Sequence, residues 1–539
     1  MGEVFANPLT ELAEYIDMKQ ALDKGKGPIQ ASGVTDSQKV HVMHELSSGR
    51  AWKLVITYDD ARARELYEDF TYFEKNSWLY PARDLLFYSS DIHGNLLTRE
   101  RLQVFRHLLE DEGGVVVTTV DGLMDHLLPL SMLHEACLSI EAGMPLDIEE
   151  IKIRLAAMGY ERMGQVDGMG QFSVRGGIID IFPLTEELPV RIELWGDEVD
   201  SIRSFDAESQ RSIQQMESVT IYPAAEVTLT KERLEAGISG IEADGKRQEK
   251  AFRDAGKHEE AHRIRTAVNE LCEALREGFD VQRLDGYIRY FCGETVSFLD
   301  YMKAAGSAGG LAVFLDEPQR MREKAETVEL EFRESMTQRL EKGYLLPGQA
   351  DLLFSAKQVL AALELPRTVF MTGLDQRLPG MTVKEKFSLT GKNVNSYQNG
   401  FELLIKDLKR WKKEGWRVVL LSASRTRASR LAGDLREYDL FAYCPEDPSR
   451  PVKPGEILVT YGKLHKGFEY PMIKFVVITE GDMFGTEKQK KKRKRYHYEG
   501  KKISSFSELS VGDYVVHESH GLGIYRGIEK IEQDHVIKD

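Results

Sequence analysis

The chain has 539 residues, of which 42% are hydrophobic, 29% charged and 9% aromatic, and its formal net charge is −15. One core cannot serve that length, and roughly 100–200 residues per domain predicts three to five domains. The acidic balance excludes nonspecific nucleic-acid binding by the whole chain, so any such contact must come from a local patch. No apolar run approaches the ~18 residues of a membrane span. The acidic opening MGEVFANPLTELAEYIDM lacks an apolar signal core, which predicts a cytoplasmic protein. Cys137, Cys272, Cys292 and Cys444 form no CxxC pair, which argues against zinc and against a disulfide framework, and no metal is expected.

Residues 1–133 alternate strand and helix. Pro28 to Ser32, Lys53 to Thr57, Leu85 to Tyr88 and Val115 to Thr119 read as strands. Ser37 to Leu46, Asp60 to Phe73 and Thr98 to Leu109 read as helices. That order predicts an α/β doubly wound sheet. A phosphate loop belongs after the first strand, and Gly33-Val34-Thr35-Asp36-Ser37-Gln38-Lys39-Val40 falls there. Against G-x-x-x-x-G-K-[ST], Gly33 and Lys39 fit. Gln38 replaces the glycine that lets backbone N–H groups curl around phosphate, and Val40 has no hydroxyl for Mg²⁺. The expectation is a degenerate P-loop that holds no nucleotide.

Residues 134–224 open with a helix from Ile148 to Met158 and continue as FSVRGGIIDIFPLTEELPVRIELWGDEVDSIRSFD, two β-hairpins in series around Gly176-Gly177 and Gly196-Asp197. Strand alternation puts Val190, Ile192 and Leu194 on one face and Arg191, Glu193 and Trp195 on the other. A Trp among charges on an outer face either caps a neighbouring helix or belongs to a binding surface. The stretches VRGGIIDIFP and VRIELWGDEVDSIRSFD closely resemble the second domain shared by excinuclease B and the transcription-repair coupling factor. The resemblance implies docking on excinuclease A through Arg175, Arg191 and Trp195, with Glu193 and Arg203 beside them. It also implies that this domain is inserted into the degenerate, RecA-like first one. The aromatic hairpin with which excinuclease B grips DNA has no counterpart in SSDIHGNLLTR (89–99), which lacks Phe, Tyr and Trp.

Residues 225–350 carry a charged, helix-rich span from Lys231 to Gly278, then an apolar strand, Leu311 to Leu315, ending in Asp316-Glu317-Pro318. The pattern is that of a Walker B carboxylate pair. With the Lys39 loop incomplete, Asp316 and Glu317 are expected to be vestiges that cap the following helix, Gln319 to Leu345. Residues 351–483 read as a third α/β domain, with strands at Thr368–Met371, Val418–Leu421, Ile457–Val459 and Phe475–Ile478 and helices at Asn399–Glu414 and Thr426–Glu437. It resembles the coupling factor's third domain and shows no catalytic constellation.

Residues 484–505 contain KQKKKRKR (488–495), whose like charges predict an extended basic linker or a phosphate-contacting tail. Residues 506–539 include DYVVHESHGLGIY, with strands from Asp513 to His517 and from Ile524 to Ile528 about a Gly521-x-Gly523 turn. The motif is similar to the coupling factor's RNA-polymerase-interacting domain, a Tudor/CarD-like β-barrel of which this would be the start. It implies contact with the RNA polymerase β subunit through His520, Gly521, Leu522, Gly523 and Tyr525.

The chain is thus identified as an N-terminal portion of the coupling-factor family, a recruitment module for excinuclease A with no catalytic residue. In that family ATP and Mg²⁺ serve a motor expected beyond residue 539, so no cofactor is expected here and DNA binding should be weak. Two alternatives stay open: an ATP-dependent helicase of the excinuclease B type using Lys39, Asp316 and Glu317, and a polymerase-binding regulator acting through residues 510–539.

Overall fold

The computed structural model describes residues 2–83, 95–228, 230–277, 281–397, 400–446 and 450–485, and the backbone of short strands between 514 and 538. Residues 1–485 form one compact unit and 486–539 a second.

The first unit builds strands β1 (Ile29–Ser32), β2 (Trp52–Thr57), β3 (Ser77–Tyr80) and β4 (Gly114–Thr119), joined by helices Asp36–Leu46, Asp60–Phe73 and Asn95–Leu109. β2 and β4 are buried along their whole length, the mark of strands covered on both faces. Helix Asp60–Phe73 starts where expected because Asp59 caps it, accepting the Arg62 N–H. The expected strand Leu85–Tyr88 lies outside the described residues. Ser77–Tyr80, which no strong pattern marked, pairs with β4 at the sheet edge.

The chain then makes an excursion through β5 (Leu138–Glu141), β6 (Glu161–Arg162), β7 (Gln171–Arg175), β8 (Ile178–Phe182), β9 (Val190–Trp195), β10 (Glu198–Phe205), β11 (Ser212–Met216) and β12 (Ser218–Ile221). Six of these form a separate sheet in the order β11-β10-β9-β8-β7-β6, and β12 pairs with β5. Ile179, Ile192, Val199 and Ile202 point inward and join the same apolar cluster as Trp52, Leu54 and Val116 of the first sheet. A shared core joins the two sheets firmly, where a linker would let them swing.

Strands β13 (Leu311–Asp316), β14 (Thr368–Thr372) and β15 (Glu385–Ser388) return to the first sheet and complete seven parallel strands in the order β15-β1-β14-β13-β2-β4-β3. This corrects the boundary at 350: Thr368–Thr372 pairs with β13 and β1, not with the following unit. A strand of five residues buried along its whole length carries no signal of which sheet it joins.

The next sheet takes β16 (Lys392–Asn393), β17 (Arg417–Ser422), β18 (Ala442–Tyr443), β19 (Ile457–Tyr461), β20 (Phe468–Tyr470) and β21 (Phe475–Ile478), in the order β16-β20-β21-β17-β19-β18. Alternation along β17 and β21 sends Val419, Leu421 and Val477 into a core shared with Val40, Val42 and Val55 of the first sheet's layer. Val418, Leu420, Val476 and Ile478 face the other way, under helices Phe401–Lys413 and Arg425–Arg436.

The second unit shows two antiparallel hairpins, β22 (Tyr514–His517) with β23 (Gly521–Ile524) and β24 (Ile531–Gln533) with β25 (Val536–Lys538). Gly521 and Gly523 lie within β23, where His517 and Val515 face them, and so do not form the expected turn. His520, Tyr525 and the basic segment 488–495 lie outside the described residues.

Candidate functional site

The outer face of the inserted sheet carries the residues that alternation singled out. β9 presents Arg191, Glu193 and Trp195 in succession, and register brings Asp180 of β8 and Arg203 of β10 beside Arg191. Trp195 ends β9, ahead of the Gly196-Asp197 turn, where Gly196 sits at φ +65°. Its side chain is 84% exposed and is the most exposed large apolar group among the described residues. The helix-capping alternative fails: nothing covers the indole.

The cations of this face divide into two kinds. Arg191 is mostly buried and donates through Nε and Nη2 to the fully buried Asp180 carboxylate at 2.7 and 2.9 Å, while its guanidinium lies 4.5 Å from the Phe205 ring centroid. Arg175 donates to the same carboxylate at 2.6 Å but keeps 44% of its side chain exposed. Arg203 is partly exposed and bonds Glu193 at 2.6 Å. Arg191, expected as a docking residue, thus has a structural task as well. Its charge neutralises a buried carboxylate, and what remains presentable is Trp195, Arg175 and the Arg203–Glu193 pair.

A second constellation lies at the carboxyl ends of β1 and β13. Lys39 is buried, and its Nζ donates to Asp316 Oδ1 and Glu317 Oε1, each at 2.6 Å. Asp316 Oδ2 accepts from Thr57 Oγ1 at 3.0 Å and Arg62 Nε at 3.1 Å. Burial alone would raise the Asp316 pKa. The charges of Lys39 and Arg62 outweigh it and hold the carboxyl below the ordinary range. Glu317 also accepts the Gly373 N–H at 2.9 Å. It sits at the N-cap of helix Pro318–Glu341 in the left-handed region (φ +52°) and makes no side-chain cap. The expectation that Asp316 and Glu317 cap that helix is therefore corrected: a buried lysine took them instead.

The loop before Lys39 departs from the phosphate-loop pattern in its contacts and backbone as well as in its sequence. Gln38 belongs to the helix and accepts the Thr35 N–H at 3.3 Å, using a donor that a phosphate would need. The left-handed residues are Gly33 (φ +83°) and Asp36 (φ +42°), not position 38. The Leu389 carbonyl oxygen stands 2.1 Å from where a Cβ on Gly33 would lie, and Gln38 packs against Gly391. Val40 is buried and has no hydroxyl.

Residues 138–226 match the family model described as the UvrB interaction domain, and 509–539 match the CarD-like/TRCF RID domain. A transcription-repair-coupling factor of Bacillus subtilis (strain 168) is 33% identical over 490 residues, covering 90% of this chain and 40% of that protein. The chain is homologous to the transcription-repair-coupling factors. A namesake from Staphylococcus haemolyticus is 29% identical over 524 residues, covering 96% of this chain and 43% of that protein. One from Staphylococcus epidermidis is 28% identical over 550 residues, covering all of this chain and 45% of that protein. The chain thus spans less than half the length of the coupling factors it matches. The UvrB interaction domain match takes in the whole Trp195 face, and the RID match takes in the four described strands of the second unit.

Sequence reasoning missed Asp180 and Arg62. Asp180 interrupts the apolar run Ile178–Phe182 on the outward parity, which was a usable signal. Arg62 gave none, because its partner lies 254 residues away. Among the described residues one group could gather a metal: the ligating atoms of His107, Glu110 and Glu112 lie within 4.8 Å of one another. Glu110 is already engaged by Arg106 at 3.0 Å and Tyr222 at 2.8 Å, and His107 by Glu112 at 2.8 Å. No described helix is long and apolar enough to cross a membrane.

Proposed function

We propose that this chain is a recruitment module of transcription-coupled DNA repair, binding excinuclease A through Trp195, Arg175 and the Arg203–Glu193 pair. One observation carries the reading: an indole left 84% in water on a charged sheet face, within the stretch matching the UvrB interaction domain. Exposed tryptophans framed by guanidinium groups are the usual anchors of protein interfaces. The Lys39 loop is a degenerate P-loop that turns over no nucleotide and needs no Mg²⁺. Its lysine neutralises Asp316 and Glu317, which supports this assignment over the helicase alternative. The second unit belongs to a Tudor-like barrel that contacts the β subunit of RNA polymerase, and the RID match supports that reading. The setting is the cytoplasm, where both partners work.

A titration of the chain against purified excinuclease A tests the reading. Trp195→Ala should weaken binding about 30-fold or more, the effect of losing a 2 kcal/mol anchor. Arg203→Ala should weaken it less. Wild-type affinity in Trp195→Ala, with the variant folded, would sink the assignment.

A further inference from the structure

The outer layer of the β16–β21 sheet reverses the charge of the molecule. Helices Phe401–Lys413 and Arg425–Arg436 together hold nine Lys and Arg against three Asp and Glu, net +6, in a chain of net −15. The first helix packs Leu404, Ile405, Leu408 and Trp411 on the sheet, which turns Lys406, Lys409, Arg410 and Lys413 outward as one stripe. The second packs Ala428, Leu431, Ala432 and Leu435, and leaves Arg427, Arg430 and Arg436 exposed. The two helices lie on the same sheet face, and Phe401 at the start of the first touches Tyr438 just beyond the end of the second, ring centroids 5.6 Å apart.

Intramolecular contacts leave most of this charge in place. Asp407 pairs with Arg410, and Glu480 with Arg427. Among the described residues no carboxylate lies within ion-pair distance of Lys406, Lys409, Lys413, Arg430 or Arg436. Like charges at i,i+3 and i,i+4 repel; Arg410, Lys413 and Arg436 gain from the dipole at their helix C-termini, but Lys406, Lys409 and Arg430 leave a surplus that an outside counter-charge would relieve. A protein interface would place apolar residues at its centre and avoid lysine there. On these two helices Leu403 is the only exposed large apolar side chain among the described residues, and it sits at one end. The rings beside the cations of the first helix are the buried Trp411 against Arg410 and the exposed Phe441 against Lys412, both at the end of that helix, too few to stack a run of unpaired bases. A straight, rigid cationic face with exposed apolar side chains only at its ends suits a straight, rigid polyanion.

We propose that helices Phe401–Lys413 and Arg425–Arg436 form a sequence-independent binding face for the phosphate backbone of duplex DNA. This inference is independent of the recruitment reading, since it uses a different sheet.

The test is fluorescence anisotropy with a labelled 30-base-pair duplex. The 539-residue parent carries Gln at the seven Lys and Arg of 488–495, which removes the other basic stretch. Each phosphate contact contributes about 0.9 to the slope of log affinity against log salt. Losing three contacts with Lys409→Gln, Lys413→Gln and Arg430→Gln therefore removes about 2.7 from that slope. From 50 to 200 mM salt the parent should lose about 40-fold more affinity than the triple variant. Lys409→Arg with Lys413→Arg should keep parental binding, showing that charge and not a fold defect is read. Equal slopes for parent and triple variant would overturn the proposal, as would no duplex binding by the parent at 50 mM salt. More effective competition by polyglutamate, or by single-stranded DNA, than by unlabelled duplex would also overturn it, in favour of an acidic protein or an unpaired strand.

Discussion

Replacing Lys39 by Met separates a structural lysine from a phosphate-binding one. The substitution keeps the aliphatic stem and deletes the ammonium that lies 2.6 Å from both Asp316 and Glu317. Asp316 is fully buried and would keep only Arg62 and Thr57. Breaking a buried pair from one side costs about 3–5 kcal/mol, and the surviving Arg62 contact argues for the lower end, about 3 kcal/mol. With about 2.1 cal/mol/K of unfolding entropy per residue, the 485-residue unit should melt roughly 3 °C lower. Scanning calorimetry at pH 7 reads this directly. The pH dependence supplies a second check. The folded pKa of Asp316 is depressed, so its contribution is present above the unfolded value near 3.9 and is lost as pH falls through the folded one. The gap between wild type and Lys39→Met should therefore hold from pH 7 to 5 and close below about pH 4. Millimolar Mg-ATP should move neither melting temperature. A Lys39→Met protein as stable as wild type, together with ATP stabilisation of wild type alone, would refute the reasoning and restore the helicase alternative.

Arg191→Ala should cost about 3 kcal/mol in urea unfolding, because it strips the bidentate partner from buried Asp180, whereas Trp195→Ala should stay within about 0.5 kcal/mol. Gly33→Ala should destabilise by more than about 3 kcal/mol, since a Cβ would meet the Leu389 carbonyl at 2.1 Å in a left-handed backbone; thermal melts report it. Burial pushes His41 down to about 3 despite the hydrogen bond that it donates to the Phe5 carbonyl. The unfolded chain therefore takes up the proton first, and stability should fall as pH drops from about 6.5 toward 3. His465 behaves oppositely: its bond to Asp69 raises its pKa, so its contribution is full below about 6.5 and lost as pH rises through the folded value. Melting temperatures from pH 4 to 9 should show both limbs, and His465→Gln should flatten only the alkaline one.

Legibility followed periodicity. Helix Asp60–Phe73 and strand Phe475–Ile478 fall at the expected residues, the helix because its amphipathic stripe has a capping Asp in front. The outward parity of Arg191, Glu193 and Trp195 was readable because a strand has only two faces. What parity cannot carry is the depth of each side chain. Arg191 and Trp195 share a face, yet one neutralises a carboxylate supplied by the neighbouring strand and the other stands in water. The Lys39 cluster was half legible. Positions 38 and 40 marked the departures from the phosphate-loop pattern, but the partners of the lysine depended on β13, some 277 residues further on. The sheet assignment of Thr368–Thr372 was not legible at all, because parallel strands buried on both faces look alike wherever they pair.

The arrangement of cores makes the two surface proposals testable by mutation. The inserted sheet shares one apolar cluster with the first sheet, and the β16–β21 sheet shares another with it. Both surfaces therefore ride on a single packed body formed by residues 1–485. Trp195 and the Lys409/Arg430 stripe lie on the faces turned away from those clusters. Deleting either should remove binding without loosening the fold, because neither group contributes to the burial that stabilises it. The buried charges behave the other way: Arg191 and Lys39 compensate carboxylates that water cannot reach. A residue of the first kind that lowers the melting temperature, or one of the second kind that leaves it untouched, would show that the division between presented and compensating charge is wrong.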